Sequence, residues 1–415
     1  MSVVVTPETS TARPTRRSPW RLAIILSIAL LLVSAARVIS GAGDIDSTGA
    51  MRAALVAAMP IMLAGLGGLW SERAGVVNIG LEGMMMLGTL GAGYMGFHYG
   101  ALAGVLGGVI FGLLGGLLHA LMTVIFGVDH IISGVAINIL ALGITGYLAE
   151  IWFTGLPGGG QSQSPPLPRT PTITIDPVVD LCREVEDKGW FLVSDVFSVI
   201  GVLFDRMSLL TLFALALVPL TAWILWRTGF GLRIRSTGEA PSAAESLGVN
   251  VYLYKCVAVA VSGALAGLGG AVLANSAGGY QNNMTVGMGY IGLAAMIFGN
   301  WRPGGLLVGS LLFGYAQSIQ LRSGEESLHG LLLVIVVVLA AFGYAQLRAG
   351  ARNAGIVAVV AASLTLVWYL LSDEVPREFT GMAPYLTTLL VLAFAAQNLR
   401  MPAADGQIYR KGSAG

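Results

Sequence analysis

The chain has 415 residues, of which 55% are hydrophobic and 11% charged, and its mean hydropathy is +0.77. Soluble domains carry about 25% charged residues, so this composition excludes an ordinary soluble domain and indicates a polytopic membrane protein. The formal net charge is +1, so the charge balance does not point to a nucleic-acid partner.

A membrane-spanning helix needs roughly 20 apolar residues, and the sequence contains twelve candidates. In chain order they cover residues 20–39, 51–70, 75–97, 100–127, 131–153, 208–227, 253–275, 286–299, 304–321, 329–347, 354–371 and 382–397. The eighth is short, which is typical of a broken or re-entrant helix. The pattern predicts an all-α polytopic membrane protein with about 10–12 transmembrane helices.

Basic residues decide the predicted orientation. With both termini in the cytoplasm, most Lys and Arg residues fall in the inner segments, as the positive-inside rule requires. The predicted organisation is a cytoplasmic tail at 1–19, a transmembrane domain at 20–399 and a cytoplasmic tail at 400–415. The longest loop, 154–207, is then extracytoplasmic, and its apolar second half is interpreted as an interfacial helix because Asp195 interrupts it.

The segment from Glu72 to Gly83 places an ionisable residue, Glu82, within an apolar span. Such groups are costly in lipid and usually face a cavity or a partner. Asn78 lies one turn earlier, on the same face if the span is one continuous helix. Two interpretations stay open: a pore-lining segment in which Asn78 and Glu82 contact the substrate, or an internal clamp, for example an ion pair between Glu82 and Arg73.

Two features of the fourth and fifth spans indicate helix packing. Gly104, Gly108, Gly112 and Gly116 recur every four residues, and such a ridge lets helices approach closely in lipid. Asn138 lies in the middle of the fifth span. Because a buried amide makes several hydrogen bonds, two interpretations of Asn138 stay open. It either links two helices by hydrogen bonds or binds hydroxyl groups of the substrate.

A basic loop, 228–252, follows the sixth span and contains a short helix-forming segment from Ala240 to Leu247. Basic loops between spans lie in the cytoplasm. A small helix presented there by a membrane protein suits docking to a soluble partner.

An internal repeat links the two halves of the chain. Leu63–Gly68 recurs identically as Leu265–Gly270, and Ile79–Met85 aligns with Ile291–Ile297 in the same order. In the predicted topology the two copies run in opposite directions, which is the plan of an inverted repeat.

Several chemistries have no motif in the sequence. There is no G-x-x-x-x-G-K-[ST] phosphate loop, no H-E-x-x-H and no G-x-S-x-G, so neither ATP hydrolysis by a phosphate loop nor intramembrane hydrolysis is supported. His119 and His130 have no metal-ligand partners at suitable spacing and are interpreted as structural. No metal site and no catalytic residue are predicted.

Four segments together resemble the permease family of ABC importers for nucleosides and simple sugars, which is related to branched-chain amino-acid permeases. They are Glu72–Gly83, Ile131–Leu140, Gly238–Gly248 and Gly289–Gly299. The nucleoside-type permeases are the most similar subgroup, and the C-terminal Pro402–Lys411 resembles their ending.

The resemblance implies a channel subunit in the cell membrane, without a cofactor in this chain. Its implied partners are separate ATPase subunits that use ATP, a second permease subunit (identical or not) and an extracytoplasmic substrate-binding protein. It also implies that the coupling segment fits a cleft on the ATPase. That segment comprises Glu239, Ala240, Pro241, Ala243, Ala244, Glu245, Leu247 and Gly248.

One region departs from the family pattern, since residues 323–378 are interpreted as an inserted pair of spans. The expected function is transport of nucleosides. The alternatives are a simple-sugar ABC permease, an ion-coupled secondary transporter, for which Glu82 and an inverted repeat are also suitable, and a membrane scaffold without transport activity.

Overall fold

The computed structural model describes residues 19–43, 45–190, 193–322, 324–376, 379, 382 and 399–412. The helices in this part of the chain are α1 Pro19–Ser40, α2 Thr48–Arg73, α3 Leu81–Tyr99, α4 Ala101–Ala120, α5 His130–Phe153, α6 Asp176–Asp187, α7 Val193–Phe204, α8 Leu209–Arg227, α9 Gly229–Glu239, α10 Pro241–Ser246, α11 Val251–Ala277, α12 Met288–Phe298, α13 Pro303–Arg322, α14 Gly324–Arg348 and α15 Arg352–Leu371. A π-helical turn, Leu121–Ile125, extends α4. Two short strands, β1 Thr172–Ile173 and β2 Met207–Ser208, pair antiparallel. The predicted all-α class is confirmed.

Polar side chains begin several of these helices. Ser47, Asp129 and Asn250 each accept a hydrogen bond from a backbone N–H in the first turn of α2, α5 and α11 respectively. Side-chain caps of this kind satisfy N–H groups that have no partner within the helix. At the other end of α11, Gly278 adopts the left-handed conformation that closes a helix (φ 79°).

Seven helices among the described residues are long and apolar enough to cross a membrane. They are α2, α4 with its π-helical turn, α5, α8, α11, the part of α14 from Glu325, and α15. The short eighth candidate is the 11-residue α12, and the predicted interfacial helix is the 12-residue α7. Candidate 382–397 lies almost wholly outside the described residues.

The third predicted span begins later than its apolar pattern indicates. The chain leaves α2 through a left-handed Gly75 (φ 81°) and stays non-helical until α3 begins at Leu81. Asn78 therefore lies in a turn ahead of the helix that carries Glu82, and the prediction that both share one helical face is wrong.

The two copies of the repeat pack reciprocally. Helix α2 of the first copy packs on α12 and α13 of the second, while α11 of the second packs on α3 and α4 of the first. Helices α2 and α11 also pack on each other. This exchange of equivalent neighbours is what a pair of copies related by a two-fold axis produces; their direction through the membrane stays a prediction.

The glycine ridge of α4 lies directly against α11. A β-carbon on Gly267 would collide with the carbonyl oxygen of Gly108 and lie 2.7 Å from the Cα of Gly112. At Gly116 a β-carbon would lie 2.9 Å from the Cα of Gly263. The two backbones are in contact, so the predicted packing role of the ridge is confirmed.

The long loop folds over one end of α1 and α2. Arg37 forms ion pairs with Asp195 of α7 (2.9 Å) and with Asp46 (3.2 Å). Thr48 donates a hydrogen bond to Glu186 of α6 (2.5 Å). Asp195 is thus buried in a polar cluster, which explains why an acidic residue interrupts an otherwise apolar helix.

Helices α14 and α15 pack on each other, with further contacts from α14 to α1 and α13. Gly343 and Gly355 allow the close approach, because a β-carbon on either would lie 3.1 Å from the carbonyl oxygen of the other residue. The pair matches the two predicted spans at 329–347 and 354–371.

Candidate functional site

The predicted coupling loop contains two helices rather than one. Helix α9 follows α8 and is capped by Thr228, which accepts a hydrogen bond from Gly231 N (3.0 Å). The six-residue α10 then begins at Pro241 and ends before a left-handed Gly248 (φ 80°). Leu247, directly after α10, is 85% exposed. An exposed leucine on a short helix is an apolar contact point available to a soluble partner.

Residues 399–412, which we call the C-terminal segment, lie against the coupling loop. Ala404 N donates to the carbonyl oxygen of Gly238 (2.9 Å) and Ala403 N donates to the Glu239 carboxylate (3.2 Å). Further along, the Tyr409 hydroxyl donates to the Glu245 carboxylate. Both glutamates of the predicted coupling segment therefore hold this chain's own C-terminal segment.

A buried polar network lies beneath this contact, at the end of α2. Trp301 Nε1 donates to the Glu72 carboxylate (2.6 Å), and the Arg73 guanidinium donates to the Trp301 carbonyl oxygen (2.7 Å). Lys255 Nζ donates to the Gly75 carbonyl oxygen (3.1 Å). The network joins the ends of α2 and α12 to the start of α11.

Asp405 of the C-terminal segment is inserted into the same network. It is buried beside Glu72, Arg73 and Lys255, and its carboxyl group lies within hydrogen-bonding reach of the Glu72 carboxyl group. Burial raises the pKa of Asp405 above its ordinary value. The folded protein therefore favours the protonated, uncharged form of Asp405.

Glu82 holds the start of α12. Its carboxylate accepts hydrogen bonds from the Thr285 hydroxyl (2.5 Å), Gly287 N (2.8 Å) and Gly289 N (2.7 Å). A carboxylate at a helix N-terminus satisfies unpaired N–H groups and interacts favourably with the helix dipole. The geometry favours the clamp interpretation of Glu82. The example of an ion pair with Arg73 is wrong, since these donors come from 285–289.

Asn138 connects three parts of the bundle. Its amide oxygen accepts from Gly83 N (2.8 Å), and its amide nitrogen donates to the Ile79 carbonyl oxygen (3.0 Å) and the Tyr290 hydroxyl (2.8 Å). Asn138 is therefore a tie from α5 to the start of α3 and to α12. Tyr290 is half-exposed, so this tie reaches an open face of the bundle.

Asn78 lies deeper than Asn138. Its amide nitrogen donates to the Ser262 hydroxyl of α11 (2.9 Å), while its amide oxygen is buried without a hydrogen-bond partner among the described residues. Asn78, Glu82 and Asn138 thus all surround the start of α3, but their contacts join helices to one another. Their role along a substrate pathway stays a prediction.

The two histidines of the sequence analysis, His119 and His130, both contact Val77 in the non-helical segment between α2 and α3. Nε2 of His119 lies 3.1 Å from the Val77 carbonyl oxygen, and Val77 N donates to Nδ1 of His130 (3.3 Å). Within the described part of the chain no group of three or more His, Cys, Asp or Glu residues is arranged to hold a metal. The structural interpretation of both histidines agrees with these contacts.

Two parts of the site were not found by sequence reasoning. Helix α9 lies within the predicted loop 228–252, and the sequence indicates nothing about the C-terminal segment beyond its resemblance to the subgroup's ending. The burial of Asp405 is a property of the folded chain, and no local pattern in the sequence indicates it.

Comparison with known proteins defines the class to which this bundle and its coupling loop belong. Residues 50–341 match the family described as the branched-chain amino acid transport system / permease component. The chain belongs to this family of ABC transporter permeases and is a multi-pass protein of the cell membrane. The match ends within α14, so the interpretation of 323–378 as an insertion stays a prediction.

Three curated relatives are similar over most of their length. The guanosine ABC transporter permease protein NupQ of Bacillus subtilis is 33% identical over 368 residues, covering 87% of this chain and 96% of the relative. The nucleoside ABC transporter permease protein NupC of Lactococcus lactis is 31% identical, covering 86% and 95%. The putative glucose ABC transporter permease protein TsgC13 of Haloferax volcanii is 32% identical, covering 88% and 98%. No solved structure matches the chain.

Proposed function

We propose that this chain is a permease subunit of an ATP-driven importer for nucleosides. The observation that carries the substrate class is the similarity, at 33% and 31% identity over almost the whole chain, to permeases named for guanosine and nucleosides. A neutral solute with many hydrogen-bonding groups also suits a bundle in which the buried polar side chains around the start of α3 include the amides Asn78 and Asn138 and the hydroxyls of Ser262 and Thr285.

The proposed machine contains further subunits. A second permease, identical or not, completes the channel, and an extracytoplasmic binding protein delivers the nucleoside. Separate ATPase subunits bind and hydrolyse ATP in the cytoplasm, where both termini of this chain lie, and this chain performs no catalysis. The residues from Glu239 to Gly248 dock to the ATPase, with the exposed Leu247 as the main apolar contact.

The proposed coupling runs through α9, α10 and the polar network at the end of α2. Gly238, near the end of α9, packs on Arg73 and Gly75, so a displacement of α10 that moves α9 acts on the non-helical segment that precedes α3. That segment carries Asn78 and is held by His119 and His130. ATPase closure thereby reaches the helices around the proposed pathway residues Asn78, Glu82 and Asn138.

A sugar importer is the second candidate, favoured by the similarity to a putative glucose permease. Uptake of labelled guanosine, adenosine, ribose and glucose distinguishes the two in cells that lack only this subunit, before and after the gene is restored. We expect nucleoside uptake alone to be lost and restored. Loss of ribose or glucose uptake with intact nucleoside uptake would contradict the nucleoside assignment.

The docking role has its own test. Leu247→Asp changes a fully accessible side chain and should abolish association of the purified ATPase while leaving the permease folded. Ala349→Asp is the matched control. It lies in the exposed turn between α14 and α15, on the same predicted side of the membrane as Leu247. Equal association of both variants with the ATPase would exclude docking at α10.

A further inference from the structure

The C-terminal segment and α10 enclose a cleft. It has a volume of about 400 Å³ and is lined on one side by Glu239, Pro241 and Ser242 and on the other by Ala403, Gln407 and Tyr409. The C-terminal wall also contributes an apolar group, Ile408, which lines the cleft and is 45% exposed. Neither wall alone forms this concave surface.

The two walls are fastened to each other at both ends. At one end Ala403 N and Ala404 N donate to Glu239 and Gly238. At the other end Tyr409 donates to Glu245, and its ring lies 5.3 Å from that of Tyr252 on α11. Because the C-terminal wall is attached at both ends, the cleft is a formed feature of the surface.

The C-terminal wall is also connected to the turn before α3. Asp405 is buried beside Glu72 and Lys255. A β-carbon on Gly75 would lie 3.1 Å from the Ala404 carbonyl oxygen, and one on Gly406 would lie 3.5 Å from Val77. Any force on this wall is therefore delivered to the residues immediately preceding Asn78.

We infer that the C-terminal segment is the second wall of the ATPase docking site, and that a segment of the ATPase inserts between it and α10. This inference rests on the proposed function. A six-residue helix presents little surface by itself, whereas interfaces of standard size need about 800 Å² per partner. The C-terminal wall enlarges the surface and is continuous with it.

The lining defines the chemistry of the inserted segment. The Glu239 side chain is half-exposed and acidic, and the Gln407 amide beside it is polar. Ile408 offers an apolar contact. Because the Arg73 guanidinium already lies 3.9 Å from the Glu239 carboxylate, the ATPase segment should present neutral hydrogen-bond donors together with an apolar side chain that packs on Ile408.

The inference changes how variants of the two glutamates are interpreted. Glu239→Lys and Glu245→Lys remove acceptors that hold the C-terminal segment, so they open the cleft as well as altering the docking surface. Loss of uptake in either variant therefore does not by itself assign a direct ATPase contact to the glutamate.

Photo-crosslinking in the assembled transporter tests the second wall. The photoreactive amino acid p-benzoylphenylalanine replaces Gln407, Leu247 or Ala349 one at a time in the full-length chain, and the purified complex is irradiated. We expect covalent adducts with the ATPase from positions 407 and 247 and none from position 349.

The outcomes separate the inference from the function on which it rests. Adducts from 247 but not 407 would overturn the second wall and leave docking at α10 intact. Adducts from neither position would overturn both. Adducts from 407 only to a permease subunit would show that the C-terminal segment faces another copy, and would also overturn the inference.

A matched pair of variants measures the contribution of the wall. Ile408→Ala removes an apolar group at the cleft, whereas Met401→Ala removes one that is 56% exposed in the same segment outside it. We expect Ile408→Ala to weaken binding of the purified ATPase about tenfold and Met401→Ala to leave it unchanged. Equal affinities for the two variants would contradict the inference.

Discussion

The middle of α11 and its first turns are built in opposite ways. In the middle, Gly263 and Gly267 lie against the backbone of α4 with no side chain between them. In the first turns, Lys255 donates a hydrogen bond to the Gly75 carbonyl oxygen, and the ring of Tyr252 packs at a tilt against that of Tyr409 in the C-terminal segment. The middle of α11 is therefore held by direct backbone packing, whereas its first turns are held by contacts of polar and aromatic side chains.

The difference indicates where the helix is able to move. Backbones in direct contact cannot slide without steric overlap, because packed interiors have little free volume. Hydrogen bonds of long side chains re-form after small displacements. The first turns of α11, together with α9, α10 and the C-terminal segment, are therefore suited to receive movement from a partner, while the glycine contact preserves the bundle.

The largest effect is expected from filling the glycine contact. Gly267→Ala introduces a β-carbon that collides with the Gly108 carbonyl oxygen. We expect the unfolding free energy to fall by about 3 kcal/mol, the upper part of the usual range for overpacking. Thermal unfolding of the purified protein in detergent measures this loss.

The control for that variant is Gly143→Ala in α5, because a β-carbon there has no atom within 4 Å. Its stability should stay within about 0.5 kcal/mol of the wild type. If both variants unfold at the same temperature, α4 and α11 are not in backbone contact.

The next effect concerns Glu82. Glu82→Gln keeps the size of the side chain but replaces one acceptor oxygen by an NH₂ group, which then faces a backbone N–H of the 287–289 turn. We expect a loss of about 2 kcal/mol, the usual contribution of a hydrogen bond to a charged group, together with reduced uptake. Thermal unfolding and nucleoside uptake are both measured.

Glu150→Gln, at an exposed position of α5, is the matched control and should leave stability unchanged. Unchanged stability of Glu82→Gln combined with lost uptake would favour the pore-lining interpretation of Glu82 over the clamp.

A smaller effect is expected where the C-terminal segment meets α10. Tyr409→Phe removes the hydroxyl that donates to Glu245 while keeping the ring against Tyr252. The cost is about 1 kcal/mol or somewhat more, confined to the attachment of the segment. Hydrogen exchange of residues 403–411 should accelerate, whereas exchange in α4 and the middle of α11 should not. Uniform acceleration across the bundle would contradict the contrast between the two regions.

A separate effect is a pH dependence that arises from Asp405. Because burial raises its pKa in the folded protein above the ordinary value, the protonated form is favoured by folding. Its contribution to stability is therefore present at acid pH and is lost as the pH rises through the raised pKa. Asp405→Asn imitates the protonated form, so its stability should gain on the wild type as the pH increases. Parallel stability curves would exclude a raised pKa.

The sequence predicts features that local patterns encode. The four-residue spacing of glycines in α4 indicates the helix contact, and two ordered matches indicate the repeat whose copies exchange neighbours. The sequence does not predict helix α9, because its three glycines lower its helix propensity. They are Gly229, Gly231 and Gly238. The helix forms because Thr228 caps it and because Gly231 and Gly238 permit close contacts with α8 and α2.

The site was harder to predict than the fold. The apolar pattern of the third predicted span includes Val76 and Val77, so it does not reveal that α3 begins only at Leu81. The donors to Glu82 lie about two hundred residues further along the chain, and no local spacing identifies such partners. The C-terminal segment has no helical or strand periodicity, and its place against α10 depends on contacts with residues about 160 positions earlier in the chain.

The insertion of Asp405 beneath the coupling loop has a consequence for biosynthesis. Residues 402–409 leave the ribosome after every helix described above, and they form one wall of the cleft with α10. A nascent or truncated permease has its helices in the membrane but an incomplete cleft. With the docking proposed above, recruitment of the ATPase would await the synthesis of residues 402–409.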